Sequence, residues 1–136
     1  MNSIAANWRV PRLVHTVLSG TWLIDNALGT VKFLYILNCV FEWDANKAAA
    51  NLAKHGVAFE EAATVFGDPD ALDGPDIQHS VGEARFLRLG RSVLGHVVIV
   101  AYTLRTSGHV ETIRIISARR ASRKERAAYG GGPSED

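Results

Sequence analysis

From Thr112 to Tyr129 the chain passes from a strand pattern into a helix pattern without a break, TIRIISARRASRKERAAY, and any fold must be arranged around that junction. Thr112, Ile113, Ile115 and Ile116 are β-branched and suit a pleated surface, and they bracket a single charge, Arg114. A charge inside an apolar strand is costly unless it is paired or used. Downstream, Ser122 and Glu125 have the spacing of a capping box: the serine hydroxyl accepts from the amide three residues on, while the glutamate reaches back. This predicts a helix from Arg123 to about Tyr129. Six of the fifteen Lys and Arg residues lie in this stretch, so the helix is basic.

A chain of 136 residues with 47% hydrophobic content buries one core and not two. Its net charge of +1 is uninformative, but its distribution is not. Between Phe41 and Asp76 two lysines face eight carboxylates; between Ile77 and Gly130 ten Lys and Arg face three. The second half therefore offers a surface to a polyanion, and it reads equally as a solvated basic face balanced by an acidic one. Cys39 is the only cysteine, which excludes an internal disulfide and favours a cytoplasmic location. The five histidines lack metal-ligand spacing, so neither a metal nor another cofactor is expected. No stretch approaches the ~20 apolar residues of a membrane span.

Residues 1 to about 30 have no clear period, with Pro11, Gly20 and Gly29 interrupting short apolar runs. Lys32 to Trp43 is apolar and aromatic enough for one strand. Asp44 then reads as the N-cap of an alanine-rich helix over Ala45 to His55. Gly56 ends it in the left-handed conformation, with Val57 expected to pack back on Leu52 in a Schellman end. A second short helix spans Glu60 to Phe66, and Asp68 to Ser80 is an acidic loop. Three strand signals follow, Arg85 to Leu89, Val97 to Thr103 and Val110 to Ser117, forming an antiparallel meander. Alternation places Val98, Val100 and Tyr102 on one face of the middle strand, and Thr112, Arg114 and Ile116 on one face of the last. The expected fold class is α+β: an antiparallel sheet of three to four strands, two N-terminal helices on one face, a concave basic opposite face, and a short basic C-terminal helix.

FEWDANKAAANLAKHGV (Phe41 to Val57), FEEAATVFGDP (Phe59 to Pro69), HSVGEARF (His79 to Phe86), LGRS (Leu89 to Ser92) and IRIISARRASRKER (Ile113 to Arg126) together resemble the BrnT family, in order and at ordinary spacing. The resemblance covers about Phe41 to Tyr129. It implies a RelE-like fold and a type II toxin that cuts RNA and halts translation. It also implies restraint by a BrnA-type antitoxin, in a heterotetramer of two toxins and two antitoxins, with operator DNA bound only through the antitoxin. Residues 39–130 would then be the toxin domain, 131–136 a disordered tail, and 1–38 an N-terminal extension explained by a mis-chosen start codon. On that view a chain begun near Tyr35 folds as well as the full one. Ala58 departs from the family pattern, because a small hydroxyl residue there would complete a capping box with Glu61.

A ribonuclease without a metal must deprotonate a 2′-hydroxyl, stabilise charge on the phosphate and protonate the leaving 5′-oxygen. With the resemblance in view, the candidates are Lys54 and His55 as an acid and base pair and Glu83 as a second base. Arg85 and Arg114 are candidates for the phosphate and Tyr102 for stacking or proton donation. Arg88, Arg91, Arg119, Arg120 and Arg123 are the expected RNA-binding set. Each has a structural alternative. Lys54 and His55 compensate a helix dipole, Arg114 pairs with Glu111, Tyr102 lies in the core, and Glu83 is a solvated loop charge. A non-catalytic nucleic-acid or protein binding module would use the same basic residues.

Overall fold

The computed structural model describes residues 20–22 and 31–129. In chain order the elements are β1 (Gly20–Trp22), β2 (Val31–Ile36), β3 (Cys39–Asp44), α1 (Ala45–His55), α2 (Phe59–Thr64), β4 (Leu72–Pro75), β5 (Phe86–Arg91), β6 (Val97–Ser107), β7 (Val110–Arg120) and α3 (Arg123–Ala128). The seven strands form one sheet in the order β1-β2-β3-β7-β6-β5-β4. Every neighbouring pair is antiparallel except β3 and β7, which run parallel with Phe41 opposite Ile113 and Glu42 opposite Arg114. The expected class is right, but the sheet is mixed and larger than three or four antiparallel strands. The basic strand β7 lies near its middle.

Two local features account for the difference. The run expected as one strand from Lys32 to Trp43 is a hairpin, turned at Leu37 and Asn38 with φ of 58° and 60°. Two left-handed residues in succession are what a two-residue hairpin turn requires, and a leucine there sends no turn signal. Within the acidic loop, Leu72–Pro75 pairs with β5 and supplies the far edge strand. Residues 1–19, 23–30 and 130–136 lie outside the described residues, and with them the expected tail and most of the expected extension.

Helix ends follow the sequence closely. The Asp44 carboxylate accepts from the amides of Asn46 at 2.7 Å and Lys47 at 3.2 Å. Gly56, at φ 73°, donates to Leu52 O at 2.9 Å. This is the single-bond left-handed end rather than the expected Schellman contact: Leu52 stays half exposed, while Val57 is fully buried in the core. Ala58 caps α2 with no side-chain hydrogen bond, as its lost hydroxyl requires.

One main core fills the space between the sheet and α1 and α2. Phe41, Trp43, Ile113 and Ile115 from the sheet meet Val57, Phe59, Ala62, Ala63 and Phe66. Val98, Val100 and Tyr102 all enter this core, as alternation predicts. A bulge in β7, which leaves Ile116 unpaired opposite Ala101 and Tyr102 of β6, shifts the register, so that Ile115 and Ala118 both reach the core despite their odd spacing. The other sheet face is not the open basic surface expected. Ala101, Thr103 and Thr112 are buried there, and Tyr35 and Val40 form a second small cluster.

Leu34, in the segment expected to be dispensable, is 3% exposed within the main core, and all six β2 residues pair with β3. A chain shortened to begin at Tyr35 should lose at least about 2 kcal/mol in urea unfolding, because burying a leucine alone contributes roughly 1.5–3 kcal/mol. Equal stability of the short and full chains would show that β2 adds nothing.

Candidate functional site

The corner between β7 and α3 is fixed at both ends. Ser122 Oγ accepts from the Glu125 amide at 3.1 Å while Glu125 Oε1 accepts from the Ser122 amide at 2.8 Å, so the predicted capping box is complete. Arg119 closes the same carboxylate from the strand side with two bonds, 2.8 and 2.9 Å, a planar two-point contact. At the far end, the Tyr129 hydroxyl donates to Asp68 Oδ2 at 2.6 Å, and the Arg91 guanidinium lies over the Tyr129 ring at 5.5 Å. Asp68 also accepts from the Arg91 amide at 2.7 Å. Burial pushes its carboxyl up, but the bonds from Tyr129 and the backbone outweigh it and hold the group below its ordinary range. Along this corner Arg119, Arg120, Arg123, Lys124 and Arg126 are exposed.

Beside it lies a cluster that joins three separated parts of the chain. Glu61, on α2, has a side chain only 9% exposed, and its Oε2 accepts from the Ser92 hydroxyl at 2.7 Å and meets His96 Nδ1 at 2.8 Å. The other ring nitrogen, Nε2, lies 3.1 Å from Arg120 NH2. Arginine can only donate, so Nε2 accepts, and the ring proton belongs to Nδ1, which donates to Glu61. The turn that carries His96 is tied down as well: Ser92 Oγ accepts from the amides of Leu94 and His96, and Thr64 Oγ1 accepts from Val93. The ring is thus locked from below by α2 and capped from above by an exposed guanidinium on β7.

Neither Glu61 nor His96 stands out in the sequence. Glu61 reads there as one carboxylate of an acidic stretch, and His96 as one of five scattered histidines. They are 35 residues apart, and only the packing of the β5–β6 turn on α2 brings them together.

The predicted residues are dispersed over several elements. Lys54, exposed, and His55, half-buried, end α1. Glu83 pairs loosely with Arg105 at 3.5 Å, both about half exposed, and Arg85 immediately precedes β5 with its backbone bonded to Asp76 and Ser80. Two expectations need correcting. Arg88 does not reach the RNA-binding surface: its side chain is 12% exposed, lies over the Phe66 ring at 4.9 Å and pairs with Asp73. Tyr102 is 2% exposed between Phe66 and Phe86 and donates to Asp73 Oδ1 at 3.0 Å, so its ring has no free face for a base. Burial, with Asp73 beside it, pushes its hydroxyl well above the ordinary range. Arg119 and Arg120 share the β7 end with Arg123 on α3. Cys39 is 1% exposed, and burial pushes its thiol up to about 11, which removes it as a nucleophile. Among the described residues no group of three or more His, Cys, Asp or Glu side chains converges as metal ligands would.

Arg114 pairs with Glu42 rather than with Glu111, because the parallel ladder sets the two opposite each other at 2.9 Å. Their side chains are 21% and 13% exposed, so removing one leaves a poorly solvated charge behind. Arg114→Ala and Glu42→Ala should each lower Tm, by about 1–3 kcal/mol in stability. An Arg114→Ala protein that keeps the parental Tm yet fails to cut RNA would assign Arg114 to the reaction instead.

The α3 corner should respond to acid. The bond from Arg119 takes the Glu125 carboxyl from its ordinary 4.5 to about 2, with the Ser122 amide assisting and burial opposing. A depressed carboxyl stabilises the fold fully above its unfolded value, and that contribution is lost as pH falls through the folded one. Tm should therefore fall as pH drops from about 4.5 toward 2, and Glu125→Gln should flatten part of that decline. An unchanged pH profile in Glu125→Gln would show that the carboxylate contributes nothing there.

No helix among the described residues is long and apolar enough to cross a membrane. Among curated proteins none matches the chain. The 1.1 Å crystal structure of the Brucella abortus ribonuclease toxin BrnT is similar at 23% identity, over 60% of this chain and 94% of that one, with a TM-score of 0.45. A family model described as the ribonuclease toxin BrnT of type II toxin-antitoxin systems matches residues 43–125, which is more than half of the chain. The chain belongs to the BrnT family of ribonuclease toxins of type II toxin-antitoxin systems.

Proposed function

We propose that this chain itself cleaves RNA, without a metal, and so halts translation in the cytoplasm. The reading is supported chiefly by one observation: Arg119, Arg120, Arg123, Lys124 and Arg126 are all exposed on a single strand-to-helix corner fastened at both ends. A phosphodiester backbone is recognised by guanidinium and ammonium groups on a rigid support, because fixed donors need no ordering when the anion arrives. In this reading Arg120 and Arg123 contact phosphates. Arg119 positions α3 through Glu125, and Lys54 and His55, at the end of α1, extend the surface. The restraining partner is a BrnA-type antitoxin in a complex of two toxins and two antitoxins. It covers the basic corner with acidic or amphipathic sequence and alone contacts operator DNA. A RelE-like relation of the fold belongs to the same proposal.

Purified protein incubated with labelled RNA in EDTA should cut it. Intact RNA in EDTA with cleavage restored by magnesium would refute metal independence. Intact RNA under both conditions, with binding retained, would favour the non-catalytic binding module.

A further inference from the structure

We infer that His96 is the general base of RNA cleavage, positioned by Glu61 and uncovered by movement of Arg120; the inference rests on the ribonuclease reading above. A general base needs an unprotonated nitrogen facing solvent and a fixed ring orientation. His96 has both. Its Nδ1–H is committed to a carboxylate that is 9% exposed and itself fixed by Ser92, while Nε2 faces Arg120 on a side chain 34% exposed.

The contact with Arg120 makes this more than a surface histidine. In the free protein the guanidinium occupies the Nε2 lone pair at 3.1 Å, a bond to a neutral acceptor. A phosphodiester offers Arg120 a charged, two-oxygen acceptor, so the guanidinium exchanges a single bond to a neutral nitrogen for a two-point contact with an opposite charge. RNA therefore draws Arg120 from the ring onto the phosphate and frees Nε2 beside it. In RNA the 2′-hydroxyl adjoins that same phosphate, so a base and a phosphate clamp that are neighbours match the spacing of the substrate's own groups. No other described histidine combines a buried carboxylate on one nitrogen with an exposed arginine on the other: His79 meets Asp76 through a ring that is 61% exposed.

The step balances as follows. Nε2 takes the proton of the 2′-hydroxyl, the 2′-oxygen forms a bond to phosphorus, and the bond from phosphorus to the 5′-oxygen breaks with its electron pair leaving on oxygen. Water protonates that oxygen, and the imidazolium returns its proton to solvent. The products are a 2′,3′-cyclic phosphate and a 5′-hydroxyl. Arg120 touches the phosphate throughout, and Glu61 is a positioning residue that keeps the proton on Nδ1.

The test compares the full chain with its His96→Asn variant, in which the amide keeps a donor to Glu61 but has no basic nitrogen; His96→Gln serves if the first fails to fold. The variant should bind fully 2′-O-methylated RNA, which cannot be cut, as tightly as the unaltered protein. It should cleave ordinary RNA at least about 100-fold more slowly. Glu61→Gln should lower kcat and leave KM in place. Cleavage by His96→Asn at the parental rate overturns the proposal, and so does a loss of binding as large as the loss of cleavage. An RNA with sulfur in place of the scissile 5′-oxygen needs no proton on its leaving group. Rescue of the variant by that substrate would make His96 the acid and overturn its assignment as base, whereas continued inactivity supports it. If the unaltered protein leaves RNA intact, the ribonuclease reading fails; if it cleaves and the variant cleaves equally, the assignment of His96 alone fails.

Discussion

The side chain of Asn51 closes the middle of this fold. Strand β3 leaves the sheet at Asp44 to become α1, so beyond that point β7 has lost its neighbour on that side. The Asn51 amide takes over: its nitrogen donates to Ala118 O at 2.8 Å and to Val57 O at 3.0 Å, and its oxygen accepts from Ala118 N at 3.1 Å. One buried side chain thus stands in for a missing strand residue and ties α1, the loop before α2 and β7 together. An unsatisfied amide or carbonyl buried at this point would cost of the order of 1–3 kcal/mol. The arginines of the basic corner are placed by β7, which makes this clasp a condition for the candidate site as well as for the core.

What the sequence made legible was local. The helix caps made by Asp44, Gly56, Ser122 and Glu125 each use neighbours within four residues, and the chain shows those spacings directly. The three-strand meander was legible for the same reason. The parallel pairing of β3 with β7 was not, because Glu42 and Arg114 are 72 residues apart and no pattern in either segment names the other. Arg114 illustrates the point: the need for a partner was readable, the partner was not. Arg88 and Tyr102 failed differently. Their types suggested surface chemistry, but Arg88 lies over Phe66, Tyr102 is enclosed by Phe66 and Phe86, and Asp73, from a strand hidden inside a loop, satisfies both.

The site residues depend on the scaffold in a layered way. Strand β5 approaches closely enough that a side chain at Gly90 would meet Val65 and Ala71 at 2.9 Å, so the turn after it is held against the end of α2. Thr64 and Glu61 then grip that turn by backbone and side chain. His96 inherits its orientation from these contacts, and Arg120 inherits its position from the β6 and β7 ladder, where it is opposite Val98. Two independent parts of the fold therefore converge on one imidazole.

Strand β7 is the last of the described strands, yet it lies between β3 and β6. Until it is made, β1 to β3 and β4 to β6 are two separate pieces of sheet with no ladder between them, and Asn51 has nothing to clasp. Loop closure over such distances is slow, because the entropy of the intervening chain is lost before contacts repay it. A growing chain that has not reached Val110 has neither a closed core nor the arginines of the β7 corner. Order of synthesis therefore delays the fold: a closed core comes into being only once β7 has been made.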